Sequence, residues 1–406
     1  MILKASLIVF SASLIGNFLN YIFHLISGRF LSPDQYSLLE SFIALDYFLA
    51  VLISTFSFSI INQINSSKPN QLPQLIPTLE KLSLKLTAIF WLIFILLFPP
   101  IKHLLHLTSP FIFLVFSLKI IFSFFPNLYL SILRAKLKFL NISLICLIPA
   151  FVKIIATTIF LFLGWQVFGA IAGMTITGLV GAFTSYFFTK KILKLKKSSL
   201  QKSLPKSFWR FSLLTLITQL SLTSLYSSDI LLTRYYLPSF QAGIYSATSV
   251  MGKIIFFVSA IILSVSFPVF NQQKQDLIKL KSSFLQAFSL ITIISLAGLL
   301  IYQFFPNLIT QLLYRSAYSP AAVFLPQFAL FMAIFALLNL VIQFLLATHQ
   351  KTAGIIAFAT ALLQIFLIIL HHSSLTLIIR NSIISTSLGL LFSLWFAIKT
   401  IHVKKV

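Results

Sequence analysis

The chain has 406 residues, of which 59% are hydrophobic, 15% aromatic and only 9% charged, and its mean hydropathy is +1.01. A soluble domain carries roughly 25% charged residues, so there is too little polar surface here to face water and a soluble fold is excluded. Thirty Lys and Arg stand against six Asp and Glu, an excess that in so apolar a chain marks the cytoplasmic loops of a membrane protein and not a nucleic-acid surface.

Spanning the hydrocarbon of a bilayer takes about 20 mostly apolar residues, and twelve runs qualify. The first six are 5–26, 38–61, 82–98, 111–133, 142–163 and 167–188. The run at 5–26 follows Lys4 and closes without a small-x-small cleavage site, so it reads as an uncleaved first helix. Pro126 and Pro149 fall inside the fourth and fifth runs and should bend them. The sixth holds Gly169 and Gly173, a Gly-x-x-x-Gly step that lets helices approach closely. Next comes "KKILKLKKSSLQKSLPKSFWR", a basic connector whose Ile192, Leu193 and Leu195 fit an amphipathic helix on the inner leaflet as well as they fit a solvated linker. The last six runs are 211–230, 244–267, 284–305, 321–346, 353–370 and 375–398. The expected fold class is therefore all-α and polytopic, with about 12 transmembrane helices. Residues 1–188 form one six-helix bundle, 189–210 a cytoplasmic connector and 211–406 a second bundle.

With an even number of spans both termini share one side. If that side is the cytoplasm, the outer loops carry only Arg29, Lys102, Arg234, Arg315 and Arg380, three lysines fall within spans, and the other twenty-two basic residues face inward. That asymmetry sets the orientation, because short basic loops stay inside.

After the first run comes "GRFLSPDQYS" (28–37), and after the seventh comes "TRYYLPSFQAGIYS" (233–246). Both hold an Arg-x-x-x-Pro turn, Arg29 to Pro33 and Arg234 to Pro238. Gln and Tyr-Ser follow in each, with a short insertion in the second. Proline stops a helix and presets φ, and Arg and Tyr hold such a turn at headgroup level. Matching turns in two six-span halves of equal orientation point to parallel repeats, an arrangement used by transporters whose substrate sits between the halves.

The stretch "SGRFLSPDQYSLLESFIAL" resembles the start of bacterial polysaccharide-export proteins, the lipid-linked oligosaccharide flippases of the MATE-like superfamily. "SSDILLTRYYLPSFQAGIYSATSVMGKIIFF" is similar to that family's seventh and eighth spans, and "LLYRSAYSPAAVFLPQFALFMAIFALLNLVIQFLLATHQKTAGI" to its tenth. The resemblance implies a MATE-like fold and translocation of a polysaccharide precursor across the cytoplasmic membrane by alternating access. It also implies a polyprenyl-pyrophosphate-linked oligosaccharide as cargo, membrane lipid around it, and glycosyltransferases or a polymerase of the same pathway as partners.

Ionisable groups inside spans are costly, and they face the protein interior or a water-filled cavity. Lys119, Lys153 and Lys253 lie near the middle of spans four, five and eight, and together they could line a cavity that receives pyrophosphate, with Lys153 the leading candidate. Arg29 and Arg234 join them as candidate substrate-binding cations. Glu40, Asp46 and Asp229 are the candidates for coupling by proton or cation. The plain alternative is that Glu40 and Asp46 neutralise the lysines while Asp229 makes a local salt bridge with Arg234, five residues on. His24, His371 and His372 read as interfacial polar residues without metal-site spacing.

Two other functions compete. A multidrug organic-cation exporter of the same architecture would want carboxylates and aromatics in its cavity, yet lysines outnumber acids in these spans. A glycan polymerase or ligase would want a large outer loop rich in charged groups, whereas the loop at 306–320 holds only Arg315. The single cysteine, Cys146, allows no disulfide within the chain, and no Gly-x-x-x-x-Gly-Lys-Ser/Thr loop is present to hold ATP phosphates. The expectation is a transporter with no enzymatic activity, cofactor, metal or nucleic-acid partner.

Overall fold

The computed structural model describes residues 2–67, 72–190, 206–348, 350 and 352–403. The described residues are helices and the turns that join them. The chain divides into two compact units, Met1–Leu31 with Asp46–Leu216, and Ser32–Leu45 with Ile217–Val406. The N-terminal segment of the second helix thus packs with the second unit, a swap that the division at 188 and 211 does not contain. The connector proposed at 189–210 lies outside the described residues except at its two ends.

The first unit holds α1 (Ile2–Phe30), most of α2 (Pro33–Ser66), α3 (Leu72–Leu96), α4 (Phe98–Leu105), α5 (Pro110–Ile121), α6 (Phe124–Ala135), α7 (Phe139–Phe162) and α8 (Gln166–Lys190). The second holds the start of α2, the C-terminal part of α9 (Lys206–Leu225), α10 (Ser228–Tyr236), α11 (Ser239–Gln273), α12 (Leu277–Phe304), α13 (Pro306–Leu313), α14 (Ala321–Ala347), α15 (Thr352–Leu370) and α16 (Leu375–Val403). Among the described residues nine helices are long and apolar enough to cross a membrane, and α3 and α4, which meet at a bend of 54°, pass the same test only as a pair. Each of the twelve expected runs coincides with one helix or a pair of helices.

Where a run differs from its helix, the backbone chemistry shows why. Span four is two helices, broken at Phe122 and Ser123. Pro126 forces the break, because its ring would strike the carbonyl of Phe122 in a continuous helix. The amides of Phe122 and Ser123 turn back tightly onto the Lys119 and Ile120 carbonyls instead. Pro149, by contrast, sits inside an unbroken α7. Span three ends at Leu96 for a similar reason, with Pro99 and Pro100 opening the eight-residue α4. Span seven breaks at Tyr226 and Ser227, within the polar run from Thr223 to Asp229.

Packing in a bilayer depends on close approach more than on expelling water, since lipid tails are as apolar as leucine. In the first unit α7 runs along both α1 and α8. Gly169 and Gly173 make the second of those contacts possible, for a Cβ at Gly169 would lie 2.8 Å from the Phe160 Cβ and one at Gly173 would meet the Thr157 hydroxyl. The lower part of α2 joins α3 and α6 through Ile60, Ile64, Leu75, Leu79, Leu128 and Ile132. In the second unit α14 is the central helix, packed against α11, α12 and α16, with Phe328, Phe331, Phe335 and Phe344 fully buried.

Candidate functional site

The charged residues within the spans gather in separate places. In the first unit, Lys119 near the end of α5 donates to Asp46 Oδ2 on α2 at 2.5 Å, with both side chains largely buried. Asp46 therefore neutralises Lys119. Helix α8 closes on this pair at Gly178, where a Cβ would lie 3.4 Å from the Lys119 carbonyl and side chain.

Lys153, also in the first unit, projects from the middle of α7 toward α1 and is only half-buried. Its ammonium donates to Asn20 Oδ1 at 2.5 Å and lies 4.5 Å from the centre of the Phe23 ring. The exposed Asn20 offers an amide beside this cation. An ammonium and an amide side by side can bind a phosphate and an adjacent hydroxyl.

The second unit holds the densest cluster. Lys253 on α11 is 2% exposed and interacts electrostatically with Asp229 and Glu40, and its ammonium sits 5.6 Å from the Tyr226 ring centre. Glu40 belongs to the part of α2 that packs in this unit and is 1% exposed. Asp229, in the first turn of α10, is completely buried and accepts a 2.6 Å hydrogen bond from the Tyr245 hydroxyl. Across the α9–α10 break, the Gln364 amide of α15 donates to the Leu225 carbonyl at 3.0 Å and to Ser382 Oγ of α16 at 2.9 Å. No donor among the described residues reaches the buried acceptors Asp229 Oδ1 and Gln364 Oε1.

Arg234 does not pair with Asp229, which corrects the expected local salt bridge. The two residues part because Asp229 turns into the core toward Tyr245 and Lys253. Arg234, 7% exposed, reaches the start of α2, where Nη1 donates to Ser37 Oγ at 2.6 Å and to the Asp34 carbonyl at 3.4 Å. Arg29, at the end of α1, is exposed. Glu40 and Asp46 share α2 but belong to different units. His372 stacks on Tyr236 at 3.8 Å, and no group of three metal-ligating side chains occurs among the described residues.

Sequence reasoning singled out neither Gln364 nor Ser382, each an ordinary polar residue in an apolar run. It read Tyr36 as an anchor of the turn at headgroup level, whereas that side chain is buried and its hydroxyl lies 2.9 Å from the Tyr314 hydroxyl. The only available signal was that a buried amide in a membrane span needs a partner.

Two helical units and charges buried at mid-span define a polytopic membrane protein built on a transporter fold. Among solved structures, the lipid II flippase MurJ in an inward closed conformation is similar at a TM-score of 0.78 and 15% identity, over 97% of this chain and 89% of that one. An inward-facing multidrug resistance transporter of the MATE family is similar at 0.75 and 15% identity, over 95% of each chain. A transporter of the same superfamily from Pyrococcus furiosus, described as having a binding pocket of reversed polarity, gives 0.65 and 16% over 98% and 96%. The fold is the MATE-like one. A search of curated proteins finds no match. The model of the polysaccharide biosynthesis protein family matches residues 26–323, and the chain belongs to that family.

Proposed function

We propose that this protein flips a lipid-linked oligosaccharide, a polysaccharide precursor on a polyprenyl pyrophosphate, from the inner to the outer leaflet of the cytoplasmic membrane. Both termini would lie inside, and the two six-helix halves would alternate access to the cargo. The reading is carried by membership of a polysaccharide biosynthesis family in a chain with the fold of a lipid II flippase. That fold serves multidrug exporters equally well, so it is the family that favours the sugar. A glycan-synthesising enzyme gains no support from any cluster described above. Glycosyltransferases or a polymerase of the pathway are the proposed partners.

Of the three mid-span lysines, Lys153 is the accessible one, and we assign the pyrophosphate to it. Lys119 is occupied by Asp46 and Lys253 is enclosed beside two acids. Arg29 remains a candidate for first contact at the surface. Coupling belongs with Asp229 and Glu40 around Lys253, where the lysine's own charge would repel a metal cation and a proton is the simpler currency.

The test is Lys153→Ala in cells whose surface polysaccharide depends on this protein, with export of labelled glycan as the readout. Export should fall by about ten- to a hundredfold, as expected when one charge-assisted contact worth about 1.5–3 kcal/mol is lost. The amount of protein in the membrane should not change, and Lys153→Arg should keep most of the activity. Full export by Lys153→Ala would remove the assignment.

A further inference from the structure

We propose that α4 lies flat at the membrane surface and holds the phosphate headgroup of an anionic phospholipid with Lys102, His103 and His106. Neither the identity of the cargo nor the direction of transport enters into this.

The sequence carries a second repeat, again about half a chain apart. Phe98 and Pro99 start α4, and Ser109 with Pro110 begins the next helix; Phe305 and Pro306 start α13, and Ser319 with Pro320 precedes α14. Both short helices have eight residues. That is about 12 Å, too short to cross a bilayer. Pro99 and Pro100 let the chain leave the axis of α3, and α4 departs at 54°. Leu96 and Leu97, at the bend, are exposed as lipid-facing residues are.

Two faces distinguish α4. Ile101 and Leu105, one turn apart, are buried and fasten it to the first unit, and the Phe98 ring packs on Phe113 at 4.9 Å. Pro99, Lys102, His103 and His106 form another stripe, and all four are exposed. The end of that stripe is fixed. His106 takes a left-handed backbone with φ 49°, the Leu107 amide donates to the Lys102 carbonyl at 3.0 Å, and Leu107 is buried. Glycine is the ordinary residue at such a helix stop, having no Cβ to strain; this chain puts an imidazole there. The His103 and His106 rings lie 6.4 Å apart, a spacing at which their N–H groups can reach oxygens of one phosphate. Lys102 has no ion-pair partner among the described residues.

The second copy shows that these groups are not needed to build such a helix. α13 has the same length and the same Phe-Pro start but no ionisable side chain, and it exposes Leu308 and Leu312 beside Asn307 and Gln311. The ammonium and the imidazoles of α4 are therefore an addition, made in the set of loops that holds only five Lys and Arg. An anionic phospholipid suits them. Its phosphate accepts from the ammonium and the ring N–H groups, and its acyl chains cover Leu96 and Leu97. Cations on a helix at the surface attract anionic lipid in this way.

The test uses the full-length protein in nanodiscs, with Cys146→Ser removing the only native cysteine and a fluorophore on Thr108→Cys, just past the patch. Phosphatidylglycerol or phosphatidylcholine, spin-labelled at the top of one acyl chain, is added as quencher. Quenching by the anionic lipid should exceed that by the neutral one about fivefold, as one surface cation gives. Lys102→Gln alone should remove most of this preference. Adding His103→Gln and His106→Asn should bring the ratio to about one without lowering the melting temperature, since asparagine tolerates the left-handed backbone. The same fluorophore on Asn307→Cys of α13 should show no such preference. An unchanged ratio in Lys102→Gln and in the triple variant, or an equal preference at α13, overturns the proposal. Loss of the preference on adding inorganic phosphate at constant ionic strength would assign the patch to a soluble anion and overturn it as well.

Discussion

Lys153, Lys253 and Lys119 occupy similar depths in the sequence pattern and meet three different fates. Their surroundings decide what each can do. An ammonium against a carboxylate is already satisfied, one enclosed beside two acids holds them in place, and one half-open beside an amide is the one proposed to meet the cargo. Removing one member of a buried charge cluster leaves the others uncompensated, at a cost of about 3–5 kcal/mol. Lys253→Ala should therefore lower the amount of folded protein in the membrane, whereas Lys153→Ala should not, and adding Asp229→Asn to Lys253→Ala should recover part of the loss. Quantitative blots of membrane fractions decide this; normal levels of Lys253→Ala would show that the cluster is not held by its lysine.

Helix ends and helix contacts set the scale above. Gly173 allows α8 to lie against Thr157 of α7, so Gly173→Ala should overpack the pair and cost about 1–3 kcal/mol. Gly16 has open space around it, which makes Gly16→Ala the control. The melting temperature of the purified protein should drop only for the first. The α11–α12 turn makes a pH-dependent case. Asp276 caps α12 by accepting the Lys279 amide at 3.1 Å, and it pairs with the Lys279 ammonium at 3.0 Å. The amide bond, followed by the Lys279 side chain, holds the Asp276 carboxyl below the usual carboxylate range. A depressed carboxylate stabilises the fold above its unfolded value of about 3.9 and loses that contribution as pH falls through the folded one. Parent and Asp276→Ala proteins should differ in melting temperature near neutrality and converge as pH falls through the lowered folded value of Asp276. A gap that persists in acid would rule out the cap.

For the whole molecule, the orientation proposed from the distribution of basic residues has both termini in the cytoplasm. Reporter domains that are active only inside should therefore work at either end, while one inserted after Lys102 should be silent. A silent C-terminal fusion would require an odd number of spans. The twelve runs were readable because mean hydropathy is an additive property of sequence, and the bilayer demands it of every span. The break of span four was half-readable: Pro126 announced a distortion, but whether a proline breaks its helix depends on its neighbours, and Pro149 on the adjacent span leaves α7 unbroken.

The repeat at Arg29–Pro33 and Arg234–Pro238 shows where this limit lies. Its existence, the two halves and the scarcity of acids follow from residue order alone, since each is a statement about composition along one dimension. That Arg234 would turn from Asp229 to Ser37, and that Asp46 and Glu40, six residues apart, would serve different units, depended on which helix faces meet. Residues 32–45 leave their own half to pack with the other, and no local pattern encodes that. A charge in a membrane takes the partner that packing brings nearest, and packing is a property of the assembled helices.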